Sequence, residues 1–262
     1  MSPLKLKLLQ IDAFAERVFA GNPAAVCALE RWLPDETLQA IAAENHLSET
    51  AYYLRRDDDE FDLRWFTPAV EVDLCGHATL ATAFAIFRER PDAELLRFRT
   101  RSGELRVRRS EHGLSMDFPL TRPRPIPAPD GLLAALGVTR AQVLDADDYI
   151  VVVEDEAQVE ALAPDLHALR GFERRGVAVT APGRDFDFVS RWFGPRVGVD
   201  EDPVTGSAHT WLAPYWAQRL GKTVLRARQG GARRGTLVCE VLGERVVLSG
   251  NAVLYLSGEI EF

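Results

Sequence analysis

The chain has 262 residues, 47% hydrophobic and 27% charged, with a formal net charge of −8. That balance describes a globular protein with a real core, in one large domain or two ordinary ones. The acidic excess speaks against a nucleic-acid or anionic-membrane partner, either of which calls for clustered Lys and Arg. Cys27, Cys75 and Cys239 are far apart and form no CxxC pair, and the five histidines make no ligand-like cluster with them, so neither a disulfide framework nor a metal site is indicated. The opening MSPLKLKLLQID lacks the apolar run of a signal peptide, and no segment approaches a membrane span. A cytoplasmic protein is the expectation.

In chain order, Leu4–Phe14 and Ala24–Leu29 have strand character and are separated by the turn Gly21-Asn22-Pro23. Pro34-Asp35-Glu36 starts a helix, with acids in its first turn, that runs towards Asn45. Strands follow near Ser48–Leu54 and Phe61–Phe66, then an apolar helix over Ala78–Phe87, then alternating strands at Glu104–Arg109 and Leu114–Phe118. The stretch from Pro119 to Pro129 holds five prolines and predicts an extended linker. The second half offers strands at Tyr149–Glu154, Gly176–Ala181 and Asp185–Phe193, a helix near Glu156–Leu162, a second apolar helix at Trp211–Leu220, and strands to Phe262. The domain division expected is therefore 1–118, a linker at 119–129, and 130–262, with the last strand free to return to the first half.

One phrase occurs twice. Arg64–Asp73 reads RWFTPAVEVD and Arg191–Asp200 reads RWFGPRVGVD, with seven of ten positions identical and an offset of 191 − 64 = 127 residues. The first copy runs into Cys75-Gly76-His77-Ala78-Thr79, the second into Thr205-Gly206-Ser207-Ala208-His209. From Asp73 to Gly76 is three steps and from Asp200 to Gly206 is six, which places a three-residue expansion in the loop that carries Asp202. Each copy opens a helix with almost no polar face, and such a helix must be covered on every side. A curved sheet around one central helix, built twice, meets that demand.

A glycine at each helix start lets the backbone approach a ligand closely. The unpaired first-turn amides lie at the positive end of the helix dipole, a place for a carboxylate. Gly76 and Gly206 are thus candidate substrate-binding positions for a small carboxylate substrate, at ends expected to face one cleft. His77 falls in the first turn, where the dipole favours a neutral ring able to exchange protons.

Gly21-Asn22-Pro23-Ala24-Ala25-Val26, Ser48-Glu49-Thr50, Cys75-Gly76-His77-Ala78-Thr79 and Asp202-Pro203-Val204-Thr205-Gly206-Ser207-Ala208 together resemble the PhzF-like phenazine-biosynthesis family, in order and over the full chain. The resemblance implies the diaminopimelate-epimerase-like fold: an α/β (α+β) protein of two pseudo-symmetric halves, each a barrel-like, mostly antiparallel sheet around a central apolar helix. It also implies an isomerase in which a Glu moves a proton across a dihydro-hydroxyanthranilate with no metal or organic cofactor, and a homodimer. Carried over residue by residue, the catalytic set is Glu49, His77, Asp202 and Ser207.

The related epimerases and racemases place a Cys before each of the two glycines, whereas this chain has Cys75 and Thr205. An unassisted Thr hydroxyl is too weak a base for two-base racemisation. Cys75 is consequently an alternative catalytic residue, for an epimerase-like or dehydratase reaction only. The readings carried forward are a cofactor-independent isomerase, that Cys75 chemistry, and a non-catalytic ligand-binding protein of the same fold.

Overall fold

Strand β1 (Lys5–Ala13) sets exposed Lys5 and Lys7 between buried Leu6 and Leu8, the period-two pattern of a strand with one face on a core. It belongs to a computed structural model that describes residues 4–262 and divides into two units. The first unit takes the described residues up to Asp117 together with Ser249–Phe262; the second is Phe118–Leu248.

In the first unit β1 is followed by β2 (Asn22–Leu29), α1 (Asp35–Asn45), β3 (Glu49–Arg55), β4 (Glu60–Phe66) and β5 (Glu71–Val72). Helix α2 (Gly76–Glu89), β6 (Leu95–Thr100), β7 (Gly103–Ser110) and β8 (Gly113–Pro119) come next. The second unit holds β9 (Arg124–Ile126), α3 (Leu132–Leu136), β10 (Gln142–Asp145), β11 (Tyr149–Val152), α4 (Glu156–Glu160) and α5 (Leu166–Leu169). It continues with β12 (Val177–Pro182), β13 (Phe188–Gly194), β14 (Val199–Asp202), α6 (Gly206–Leu220), β15 (Val224–Gln229), β16 (Gly235–Leu242) and β17 (Arg245–Gly250). The last strand, β18 (Ala252–Glu261), lies in the first unit.

The two units share one wiring diagram. Most strand pairs are antiparallel, but β2 runs parallel to β3 and β4 parallel to β6. The second unit has the same two exceptions in the same places, β11 with β12 and β13 with β15. A parallel pair needs a crossover, usually helical. Here α1 and α2 serve the first unit, α4 with α5 and then α6 the second. Each unit also gains a strand on its leading edge, β18 against β1 and β9 against β10, both antiparallel. The fold is thus α/β, with two pseudo-symmetric, mostly antiparallel barrel-like sheets around central helices.

Helix α2 buries every residue from His77 to Phe87 except the half-buried Phe84, and β1, β2, β3, β7 and β18 pack against it. Helix α6 buries Trp211, Leu212, Ala213 and Trp216. Trp216 stacks on Phe188 at 5.9 Å between ring centroids and donates its indole N–H to Thr180 Oγ1 at 3.0 Å. Outside the first sheet, Leu38, Ile41 and Ala42 of α1 close a second apolar layer with Tyr52 and Phe66.

Residues 119–129, which composition marks as a linker, run extended but are packed into the second unit. Arg124–Ile126 forms β9, Leu120 N–H donates to the Glu244 carbonyl, and Thr121 N–H donates to the Thr210 carbonyl at 3.1 Å. That last bond has a cause inside α6. Pro214 has no N–H to give the carbonyl four residues earlier, which is Thr210, and the extended chain supplies the missing donor.

Trp216→Ala should lower the unfolding free energy by about 3–5 kcal/mol, the cost of an aromatic-sized core deletion. Leu220→Ala, on the same helix but 38% exposed, should stay within about 0.5 kcal/mol. Urea midpoints of the two variants test this, and equal losses would contradict the packing assigned to α6.

Candidate active site

The repeated phrase builds the same support twice. Arg64 donates two bonds to Glu71, at 2.7 and 2.8 Å, and Arg191 donates two to Glu201 at the same distances. Trp65 pairs with Val72 across the sheet, and Trp192 pairs with Asp202. Strand pairing therefore makes Asp202 the counterpart of Val72, and the steps to the helix glycines are equal, 76 − 72 = 206 − 202 = 4. This corrects the position of the three-residue expansion. The extra residues are taken up before β14, in the 3-10 turn Pro195–Val197 and a bulge after Trp192, not in the loop after Asp202.

In the first unit Glu49 opens β3 and His77 sits in the first turn of α2, with its Nε2 2.8 Å from Glu49 Oε2. Both side chains are sequestered, 6% exposed for His77 and 17% for Glu49. Glu49 Oε2 has no aligned hydrogen-bond donor, so the contact is chiefly one of charge. On the other edge of the ring, Asn22 Nδ2 lies 3.3 Å from Nδ1, while Ser48 Oγ donates to Asn22 Oδ1 at 2.9 Å. Gly21 delivers Asn22 in a left-handed turn at φ +66, and a Cβ there would meet the Ala13 carbonyl oxygen at 2.1 Å. Cys75 Sγ is 3.5 Å from Nδ1 and 3.9 Å from Nε2.

These neighbours decide the protonation of the ring. Burial is the largest single influence on His77 and disfavours the imidazolium, but Cys75 and the Glu49 carboxylate together outweigh it and raise the pKa well above its ordinary value. That direction runs against the sequence expectation of a neutral ring. A helix dipole contributes about 0.3–1 kcal/mol, whereas a unit charge at such a distance contributes on the order of 5 kcal/mol at an effective dielectric of about 20, before desolvation is subtracted. The Cys75 thiol moves the other way in chemical effect: burial first, then the Glu49 charge, push it up to about 11. It is a thiol at neutral pH, not a ready base.

In the second unit the start of α6 is braced by a buried amide. Thr205 N–H donates to Gln229 Oε1 at 3.0 Å, and Gln229 Nε2 donates to the Asp202 carbonyl and to Thr205 Oγ1, both at 2.9 Å. Thr205 Oγ1 in turn donates to Asp202 Oδ2 at 2.6 Å. Ser207 Oγ accepts from Arg175 Nη2 at 3.1 Å. That guanidinium lies over the Trp192 ring at 5.1 Å and is anchored on Asp148, which is fully buried and also accepts from Trp192 Nε1 and Gly176 N–H. Gly176 is obligatory here, because a Cβ would meet Trp192 at 2.4 Å. His209 packs beneath, its pKa lowered to about 4 by burial, with Nδ1 2.9 Å from the Thr205 carbonyl.

The first unit thus brings Glu49, Cys75, Gly76 and His77 to the start of α2, and the second brings Asp202, Gly206 and Ser207 to the start of α6. Neither preceding residue, Cys75 or Thr205, caps its helix with a side chain, which leaves first-turn amides for a ligand. Sequence reasoning missed Asn22 as the imidazole's neighbour, Gln229 as the brace and Arg175 beside Ser207. The Arg-Gly step before a strand was the one available signal for the last. It also saw no metal-type cluster, whereas Glu49, Cys75 and His77 place one ligand atom each within 4.8 Å of one another. Glu49 comes from 26 residues upstream of Cys75 (75 − 49 = 26), beyond the reach of a spacing rule.

The model of the PhzC-PhzF family, phenazine biosynthesis-like proteins, matches residues 11–258. The chain belongs to this family. An uncharacterized isomerase of Pseudomonas aeruginosa is 65% identical, covering 98% of this chain and 99% of its own length. A second uncharacterized isomerase of that bacterium is 50% identical with the same coverage. Among solved structures, a PhzF-family protein of Enterococcus faecalis superposes with a TM-score of 0.94 at 46% identity, covering 98% of this chain and 99% of that one.

The His77 ring nitrogens should report an imidazolium at pH 7.5 in nitrogen-15 NMR. In Glu49→Gln the titration should fall, because burial then acts against less opposing charge. A wild-type ring that is neutral at pH 6 would remove the ion pair from the site.

Proposed function

We propose that this member of the PhzC-PhzF family is a cofactor-independent isomerase that moves a proton on a small carboxylate substrate by acid/base catalysis. The observation that carries the reading is the sequestered Glu49–His77 pair, 2.8 Å apart at the start of a helix. Membership of the family and the isomerase names of its relatives support it.

In this reading Glu49, as carboxylate, takes a proton from a substrate carbon next to an unsaturated or carboxyl-bearing position. The pair then consists of a neutral acid and an imidazolium, and the substrate carries the compensating negative charge. His77, held cationic, stabilises that anion where water cannot screen it. Glu49 returns the proton to a different carbon or face and the pair regains its starting charges. Net charge at the site is constant throughout, so no step has to bury an unmatched ion.

The catalytic assignment also includes Asp202 and Ser207. In the first unit the first-turn amides at Gly76 are assigned to an oxyanion; in the second unit Ser207 and the amides at Gly206 are assigned to the same kind of group, and Asp202 to a proton-bearing one. Arg175 places a positive charge beside Ser207 that favours an anionic ligand there. Cys75 is assigned no proton, since its thiol is pushed up to about 11.

Incubation in heavy water with a panel of cyclic and unsaturated carboxylates, read by mass spectrometry, tests the proposal. At least one should take up solvent deuterium at carbon. Glu49→Gln should lose at least about 1000-fold of that rate, at the upper range for a positioned acid/base group, while keeping ligand binding. Cys75→Ser should keep turnover, and its inactivity beside an active Glu49→Gln would hand the chemistry to the thiol. Binding without exchange in the wild type would make this a ligand-binding protein.

Ser207→Ala should raise KM about 5–30-fold for a carboxylate substrate with a smaller change in kcat, as loss of one charge-assisted hydrogen bond costs about 1–2 kcal/mol. An unchanged KM in steady-state kinetics would remove Ser207 from substrate binding.

A further inference from the structure

We propose that Glu49, Cys75 and His77 form a binding site for a borderline-soft divalent cation, Zn²⁺ foremost, and that its occupation switches the proton-transfer pair off. Among the described residues this is the group that gathers His, Cys and carboxylate ligands at metal-binding separations.

The donor set is specific. A thiolate, an imidazole nitrogen and a carboxylate oxygen are the three ligand types of protein zinc sites, and the sulfur disfavours Mg²⁺ and Ca²⁺. Two of the three spacings lie close to those of a zinc site, and the third is within 4.8 Å. With Zn–S near 2.3 Å and Zn–N and Zn–O near 2.0–2.1 Å, tetrahedral geometry sets S···N at about 3.6 Å and N···O at about 3.3 Å. In the structure Cys75 Sγ is 3.9 Å from His77 Nε2, and Nε2 is 2.8 Å from Glu49 Oε2. The sulfur has to approach by about 0.3 Å and the carboxylate to retreat by about 0.5 Å to reach those tetrahedral spacings, shifts within the range of a side-chain torsion. Three protein ligands leave the fourth position to water or an anion, the arrangement of an open zinc site.

Coordination requires Cys75 Sγ as thiolate and His77 Nε2 without a proton, so any proton on either atom leaves to solvent as the cation enters, and affinity rises with pH. Asn22 completes the design. It faces Nδ1 at 3.3 Å, the nitrogen that must keep its proton when Nε2 binds metal; turning its amide presents Oδ1 as acceptor and exchanges the bond Oδ1 accepts from Ser48 Oγ for one that Nδ2 donates to that hydroxyl. Cys27 and Cys239 are buried and lie outside the group.

Coordination stands on ligand geometry alone, and only its effect on turnover rests on the proposed proton transfer, so the two are read separately. Metal-free protein is titrated with ZnCl₂ by calorimetry in two buffers of different ionisation enthalpy, and with CoCl₂ by absorbance. One ion per chain should bind with release of protons, and cobalt should produce a thiolate-to-metal charge-transfer band. Cys75→Ser should abolish that band and weaken binding on the order of 100-fold, as expected when the thiolate donor is lost. Asn22→Ala, which removes no ligand, should weaken it about 10–100-fold.

Thermal melts confirm that each variant is folded, and Glu49→Gln serves as a second ligand variant. Cys27→Ser and Cys239→Ser should bind as wild type. Absence of the cobalt band in the wild type, or zinc affinity unchanged in both Cys75→Ser and Glu49→Gln, overturns the site. In the deuterium-exchange assay one equivalent of Zn²⁺ should stop exchange and a chelator restore it. Binding with undiminished exchange overturns the switch while leaving the site.

Discussion

A helix without a polar face determines this architecture. Between His77 and Phe87 helix α2 has no side that water can wet without cost, and the strands around it answer that demand. Covering works for side chains but not for the first turn, whose amide N–H groups have no partner within the helix. The start of the helix is therefore a place where polar chemistry is required. Glu49, His77 and Cys75 gather at that end of α2, and Thr205, Ser207 and Gln229 at the same end of α6.

Both ends are held by paired charges set into the sheet. Arg64 with Glu71 and Arg191 with Glu201 are two-pronged pairs, largely shielded from water, and Arg175 rests on a fully buried Asp148. Buried pairs of this kind add little net stability but are costly to break or misplace. Their effect is to fix the strand register beneath each helix start, and with it the side chains that project from the turn.

Much of the fold was legible because duplication leaves a mark that no single propensity rule needs to interpret. The phrase around Trp65 and Trp192, the glycines at 76 and 206 and the two apolar helices pointed to two halves, and the matching pairs of parallel strands bear that out. Legibility failed where geometry overrides sequence position. Identity alone aligned Asp73 with Asp200, yet strand pairing sets Val72 against Asp202, because a turn and a bulge absorb three residues upstream. The direction of the His77 shift could not be read from its helix alone, since beside Cys75 it depends on a carboxylate from a strand 28 residues earlier (77 − 49 = 28). Residues 119–129 looked like a tether because prolines exclude helix and central strand. Packing against α6 is a tertiary fact, and its one local clue, Pro214, sits 93 residues beyond Thr121 (214 − 121 = 93).

The final strand carries a consequence for the order of assembly on the ribosome. The second unit is a continuous stretch, complete once Leu248 has cleared the exit tunnel, whereas the first still lacks Ser249–Phe262. Strand β18 runs the whole length of β1, from Lys5 opposite Glu261 to Ala13 opposite Ala252. The portion translated first is thus the portion sealed last. Until Ser249–Phe262 have emerged, the β1 edge that β18 covers stays open, a template for mispairing between nascent chains.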